Sequence, residues 1–391
     1  MTPVPRMDGR RLARGLPALA LGIALILGAN PHSRAAPAGS DRTHGTRSQV
    51  DTVGFATRWS DMEALLAACR REEGATLATP SDDGDGNKAG GWAVAVMPHD
   101  DYLYAGRVYV HLLPGLRAPR WLIFGVCHAC RRQGIRDRLI FDDFENWRVA
   151  GESFPVDAEL RAELLEMLPV TEATIDSGRH ADEHSIEALL PWLRTAQPQA
   201  TFVPILVTGM SWPRMQELAD SLASAMTEIC RRNQWLPGRD IGILVSADAV
   251  HYGCEDWGSR PYDPFGCDEK GHAAAVARDR TLAEATLCGR LGDDGLFRFI
   301  SMVWNPDLSQ HAENPYRITW CGLYSIPLGL ATAWRLQAAL DQPALNGYLL
   351  RYGDSYSDGR LQLPETKLGV TAPNHVRHWV GYAALGWTAG R

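Results

Sequence analysis

"AVMPHDDYLYAG" (residues 95–106) decides how this chain is read. The apolar run "WAVAVM" (92–97) has β character, and it gives way at once to Pro98, His99, Asp100 and Asp101. A loop needs polar residues, but it does not need an imidazole beside two carboxylates. The arrangement recurs downstream. "RWLIFGV" (120–126) runs into "CHAC" with His128, and "DIGILVSAD" (240–248) runs into Asp248 and His251. "RLIFDDF" (138–144), "TFVPILVTG" (201–209), "NGYLLRYG" (346–353) and "HWVGYAALG" (378–386) add further strand candidates. Helical spacing marks residues 156–168, 211–233, 268–291 and 319–340 between them. Apolar runs alternating with helices predict an α/β fold: one three-layer α/β/α domain with a mixed, largely parallel sheet. In such sheets ligands gather beyond the carboxyl ends of the strands. Three predicted strands each deliver an imidazole to that edge.

Two further helices are expected. "WSDMEALLAACRREE" (59–73) is amphipathic, with Ser60 or Asp61 as cap. "DEHSIEALLPWLRTA" (182–196) reads as a helix with an acidic first turn, with Glu183 and Glu187 one turn apart and His184 beside them. Pro191 should kink that helix or sit near its start. "SDDGDGNKAGG" (81–91) is a loop.

The N-terminus has a different character. Arg10, Arg11 and Arg14 precede "LPALALGIALILGA" (16–29), and "SRAAPAG" (33–39) supplies a small-residue exit. A basic start, a short apolar stretch and small residues describe a secretory signal. The organisation expected is a signal peptide at 1–36, a flexible linker at 37–57 and a domain at 58–391, working in the periplasm or outside the cell. The apolar stretch is shorter than the roughly 20 residues of a membrane span, so no stable insertion is expected after cleavage. A net charge of −7 gives no reason to expect nucleic acid as partner. Eight cysteines in an exported chain suggest bridges. The C-x-x-C of Cys127 and Cys130 reads as a redox pair, a bridge or extra soft ligands around His128.

The residue types indicate the chemistry. His99 and His128, at the ends of adjacent parallel strands, would come within reach of one metal ion, for which neutral imidazole is a common ligand. One such histidine alone is more readily a loop or core residue bonded to backbone; several at strand ends reverse that balance. A carboxylate of "DEHSIE" could orient a ligating imidazole. Asp248 and His251 could supply a ligand and a general acid or base. Cys321, in "TWCGLYSIP" (319–327), opens a helical pattern, where a thiolate is favoured and becomes a soft ligand.

"PHDDYLYAG", "GVCHA", "DEHSIEALLPWL", "VPILVTG", "SADAVHYG", "TWCGLYSIP" and "VGYAALGW" occur in this order within residues 92–387. Together they resemble the Memo family, also called AmmeMemoRadiSam system protein B, which is related to class III extradiol (LigB-type) dioxygenases. The resemblance implies an α/β/α core, with His99, His128 and Cys321 as ligands of one iron or copper ion. It also implies His251 as acid or base with Asp248 beside it, a small-molecule or peptide ligand, and a radical-SAM system partner; His184 of "DEHSIE" is the third catalytic candidate. The chain departs from the family pattern in three places. Asp100 and Asp101 replace Ala-Gly, Cys127-His128-Ala129 replaces Ser-His-His, and Leu323-Tyr324 replaces Arg-His. The two aspartates would add a hard ligand or make the pocket more closed and negative. Two readings follow. One is a non-haem, metal-dependent oxidoreductase of dioxygenase ancestry. The other is a non-catalytic metal- or peptide-binding protein handling copper in the periplasm, to which thiols at Cys127, Cys130 and Cys321 would be suited. A thiol–disulfide protein built on Cys127 and Cys130 is a third.

Overall fold

The computed structural model describes residues 45–74, 77, 90–255, 261–304 and 316–389. The expected signal at 1–36 and the loop residues 81–89 lie outside them. Among the described residues no helix is long and apolar enough to cross a membrane.

The strands in chain order are β1 (Thr46–Arg47), β2 (Val94–Met97), β3 (Arg120–Val126), β4 (Leu139–Phe141), β5 (Asn146–Val149), β6 (Glu152–Pro155) and β7 (Ala173–Ile175). They continue with β8 (Thr201–Val207), β9 (Ile241–Ser246), β10 (His251–Gly253), β11 (Gly289–Arg290), β12 (Leu345–Asp354) and β13 (His378–Ala389). The main sheet has the order β11-β12-β13-β2-β9-β3-β8-β4-β7, with β10 paired to β13. Its centre, β2-β9-β3-β8, is parallel. Strands β13 and β4 flank that centre antiparallel to β2 and β8. The sheet is mixed, as expected, with its parallel pairing concentrated in the middle. Every residue of β2 and β9 is buried, as a strand covered on both faces requires.

Side-chain alternation sorts the core into two layers. Val94, Val96, Leu122 and Phe124 face one side, which is covered by α3 (Ala158–Met167), α6 (Trp212–Asn233), α7 (Glu269–Leu287), α8 (Asp293–Val303) and α9 (Ser325–Ala339). Ala95, Met97, Trp121 and Ile123 face the other. There α1 (Trp59–Glu73), α2 (Tyr102–Tyr109), α5 (Leu190–Ala196) and the small sheet β1-β5-β6 pack. The remaining short helix, α4, is Ser177–Ala181.

Three local expectations are corrected. Helix α1 spans the residues expected, but neither Ser60 nor Asp61 caps it; the Asp61 carboxylate accepts from the Arg58 guanidinium instead. The helix read over 182–196 is broken: residues 182–186 form a turn, a 3₁₀ turn covers Glu187–Leu189, and α5 starts at Leu190 with Pro191 in its first turn. Pro191 lacks an N–H and is tolerated only there. The linker read over 37–57 is, in its described part, structural. Phe55 and Ala56 are buried, β1 pairs with β5, and the Arg47 guanidinium meets Glu187 at 2.5 Å with both side chains fully buried.

Candidate metal centre

Three strand ends build the site. His99, His128 and Asp248 each lie two residues past the last residue of β2, β3 and β9, which are neighbours in the order β2-β9-β3. Two glycines let other segments close over this edge. A Cβ on Gly125 would meet Ile186 at 2.5 Å, so the 182–186 turn can press onto the end of β3. A Cβ on Gly322 would meet the Ala247 Cβ at 2.3 Å, so the Cys321 segment can press onto the end of β9. Backbone bonds fix that second contact: Cys321 N donates to Asp248 O at 3.2 Å and His251 N to Thr319 O at 3.1 Å.

The Cys321 sulfur lies 3.2 Å from His99 Nε2 and 3.3 Å from His128 Nε2. The other ring nitrogens are committed. His128 Nδ1 donates to Glu183 Oε1 at 2.8 Å, and Glu183 also accepts from the backbone N–H of His128 and of Ser185. Ser246 donates its hydroxyl proton to Ser185 O at 2.6 Å, so it accepts from His99 Nδ1 at 2.7 Å. Both rings therefore carry Nδ1–H and direct Nε2 inward, the tautomer a metal ligand needs. Asp248 accepts from His99 N at 2.9 Å and stands 3.4 Å from His99 Nε2 and 3.8 Å from His251 Nε2. The His184 ring is 5.0 Å from that of His128 and 5.8 Å from that of His99. Two overlapping donor sets result, His99–His128–His184 and His99–Asp248–Cys321, with donor atoms in each within 4.8 Å of one another. Two inward imidazole nitrogens and a sulfur, braced from behind, fit a borderline or soft transition-metal ion.

The charges interlock. Burial opposes ionisation of Cys321, yet His99, His128 and His251 bring its thiol well below the ordinary range. Burial also opposes charge on His99 and His128, but Asp248 and Cys321 raise the first, and Glu183 and Cys321 raise the second. His251 is lifted to about 10 by Asp248 and Cys321 against its burial. Asp248 is drawn to about 2 by His99 and His251, again against burial. His184 alone among these imidazoles falls: burial outweighs Glu183, and the neighbouring imidazoles add to the drop. His128 keeps 38% of its side chain exposed, which leaves the centre open on that side.

The expected site residues His99, His128, Cys321, Asp248, His251 and His184 thus come together. Asp100 and Asp101 fall in neither donor set. Asp100 accepts from the Tyr382 hydroxyl at 2.6 Å, and Asp101 from Thr371 N and Oγ1. They brace the start of α2 rather than ligate. Cys127 and Cys130 form a disulfide, as do Cys254 and Cys267, so the C-x-x-C is a bridge and supplies no thiolate. Sequence reading missed Ser246 and the Arg47–Glu187 pair. Ser246 carried a signal, since it shares the parity of Asp248 at the end of β9; Arg47 carried none.

A cluster of two imidazoles, a thiol and a carboxylate at the carboxyl edge of a covered parallel sheet defines a class: a three-layer α/β protein with a candidate nitrogen–sulfur metal site. The chain belongs to the Memo family, since the profile of Memo-like proteins matches residues 62–360. A MEMO1 family protein of Saccharolobus islandicus is 30% identical over 162 residues, 40% of this chain and 52% of that protein. A MEMO1 family protein of Metallosphaera sedula is 28% identical over 167 residues, 42% and 55% respectively. The chain spans about half the length of the curated relatives it matches. Among solved structures, an uncharacterized protein from Escherichia coli K12 matches 69% of this chain and 86% of its own, with 14% identity and a TM-score of 0.35.

Proposed function

We propose that this protein is an exported, metal-dependent oxidoreductase of Memo type acting on a small organic substrate, with one iron or copper ion held by His99 Nε2, His128 Nε2 and Cys321 Sγ. The single observation carrying the proposal is the convergence of those three atoms while Ser246 and Glu183 occupy both Nδ1 positions. A bound ion would supply redox and Lewis-acid chemistry. The chain's own side chains handle protons. His251, charged beside Asp248, is the donor, and His184, held neutral, is the acceptor. The open side at His128 admits the substrate. The two disulfides support export, because such bonds persist in oxidising compartments. Non-catalytic copper handling is the weaker reading. The Cys127–Cys130 bridge removes two of the three thiols that favoured it, and a store has no use for a charged and a neutral imidazole beside its ligands.

Metal analysis of protein purified without chelators tests the proposal. Parent protein should hold one iron or copper ion per chain, and His128→Ala and Cys321→Ser should hold at least about tenfold less. Oxygen uptake with a panel of catechols should follow metal content. Equal metal in parent and variants would reject the site.

A further inference from the structure

The carboxyl edge of the sheet does not end at the metal centre. Beyond β9 and β3 come β8 and β4, and the segment that enters β4 is "RRQGIRDR" (131–138), four arginines against one aspartate in a chain of net charge −7. This segment starts three residues after His128. We propose that it forms a binding site for the anionic group of the substrate, so that the molecule this protein acts on is a small organic acid bearing a carboxylate or phosphate.

The geometry is set by the sheet. Gly209, just past β8, bridges Arg136, and Asp137 N donates to Gly209 O at 3.0 Å. His128 lies at the end of β3, the neighbour of β8. Strands are about 4.8 Å apart, so two spacings place the Arg136–Arg138 backbone roughly 10 Å from His128 along the edge. Tyr324 fills the ground between. It follows Cys321 by three residues, and its ring lies 3.4 Å from where a Cβ of Gly209 would stand, so it packs directly against the end of β8. Arg131 and Arg136 both pull the Tyr324 hydroxyl down against its burial, and on Tyr316 Arg131 opposes burial and Cys321, which raise it. The arginine segment and the centre therefore share a wall.

Arg136, Asp137, Arg138, Thr171 and Arg214 line a crater of about 450 Å³. Arg214 is committed: it donates to the carbonyls of Asp137 and Thr171 and to the carboxylates of Glu172 and Glu217. Arg138 is fixed by its backbone to Thr208, while its exposed guanidinium has no hydrogen-bond or ion-pair partner among the described residues. A planar guanidinium fork at such a position matches a carboxylate or phosphate in two-point fashion. Thr171 adds a polar group to the same crater. The spacing selects an elongated molecule, with its acid on the arginines and its reacting end at the centre. This rests on the metal-centre reading for the second end alone.

The test is calorimetric binding of a matched pair, 3-(3,4-dihydroxyphenyl)propionate and neutral 4-propylcatechol, with inorganic phosphate as competitor, on metal-loaded and metal-free protein. The acid should bind at least about tenfold tighter than the neutral compound, and phosphate should compete with it. Arg136→Gln/Arg138→Gln should erase that advantage without changing metal content or the affinity for 4-propylcatechol. Arg138→Gln alone, at an exposed position, should remove most of it, and Arg138→Lys should restore part. Equal affinity for acid and neutral compound, or an advantage that survives both glutamine variants, would overturn the proposal. If phosphate binds metal-free protein through Arg138 while no metal is ever taken up, the anion site stands and the metal-centre reading falls. If metal binds and the acid shows no preference, the reverse holds.

Discussion

A thiol between two imidazoles is the arrangement on which the site's chemistry turns, and each partner is prepared by a residue behind it. Cys321 loses its proton readily because three imidazoles surround it, and His128 can offer its Nε2 lone pair to an ion because Glu183 holds the Nδ1 proton and fixes the ring from the far side. The inward residues were legible in the sequence. An imidazole or carboxylate two places past each of three parallel strands has no structural duty in a loop, and parallel neighbours must present their ends together. The bracing residues were less legible. Glu183 fits two readings in the sequence, a dipole partner at a helix start and a carboxylate that orients a ligating imidazole; its carboxylate turns back to accept from His128 N, His128 Nδ1 and Ser185 N. Asp100 and Asp101 looked like ligands because their types are right, but burial and local donors claim them. A prediction follows for Glu183→Gln. The amide keeps the shape but loses the charge that holds the His128 Nδ1 proton. Metal affinity should fall by about 10- to 100-fold, with the metal still bound at saturation. Competition titration with a calibrated chelator reads this directly, and an unchanged affinity would remove Glu183 from the site.

Elements were readable where one physical signal dominated. β3 covers the stretch read for it, 120–126: residues 121–125 are buried on both faces, and the half-buried Arg120 marks its start. The direction of strands was harder. Nothing in "HWVGYAALG" says that β13 runs against β2, since both faces are apolar either way. The 182–196 stretch failed as one helix because two buried carboxylates there serve long-range partners. Glu183 goes to His128, and Glu187 goes to Arg47 and to the N–H groups of Val50 and Asp51. Arg47 in turn donates to the carbonyls of His180 and Glu183, so β1 straps the turn that aims Glu183. Removing one partner of a fully buried pair leaves the other charge stranded. Arg47→Ala should therefore cost about 3–5 kcal/mol of stability. It should also lower metal affinity, since the carbonyl of Glu183 loses its donor. Denaturant unfolding and metal titration on the same variant check both, and a loss below about 1 kcal/mol would mean that the strap is dispensable.

At the scale of the whole molecule, the chain folds as one compact unit over Thr43–Arg391, which absorbs the later part of what composition marked as linker. Small and polar residues read as linker when their partners are more than a hundred positions away, and no local pattern reveals a strand of two residues such as β1. One consequence is a buried histidine whose proton balance acts on the stability of the entire fold. His180 is fully buried beneath β1, where Nε2 donates to the Ile140 carbonyl at 2.9 Å and the ring meets Trp147 edge-on. Burial, helped by Arg47, drops it to about 3 against the pull of that carbonyl. An unfolded histidine titrates near 6.5, so below that pH the unfolded chain takes up a proton that the folded one refuses. Stability attributable to this residue is complete above about pH 6.5 and drains away as pH falls toward 3. Between pH 7.5 and 4.5 the loss should be on the order of 2–3 kcal/mol. His180→Gln can keep a donor to Ile140 but cannot take up the proton, so it should start less stable and lose less on acidification. Denaturation midpoints of parent and variant at the two pH values isolate the difference. Parallel losses in the two proteins would show that the acid sensitivity of this fold resides elsewhere.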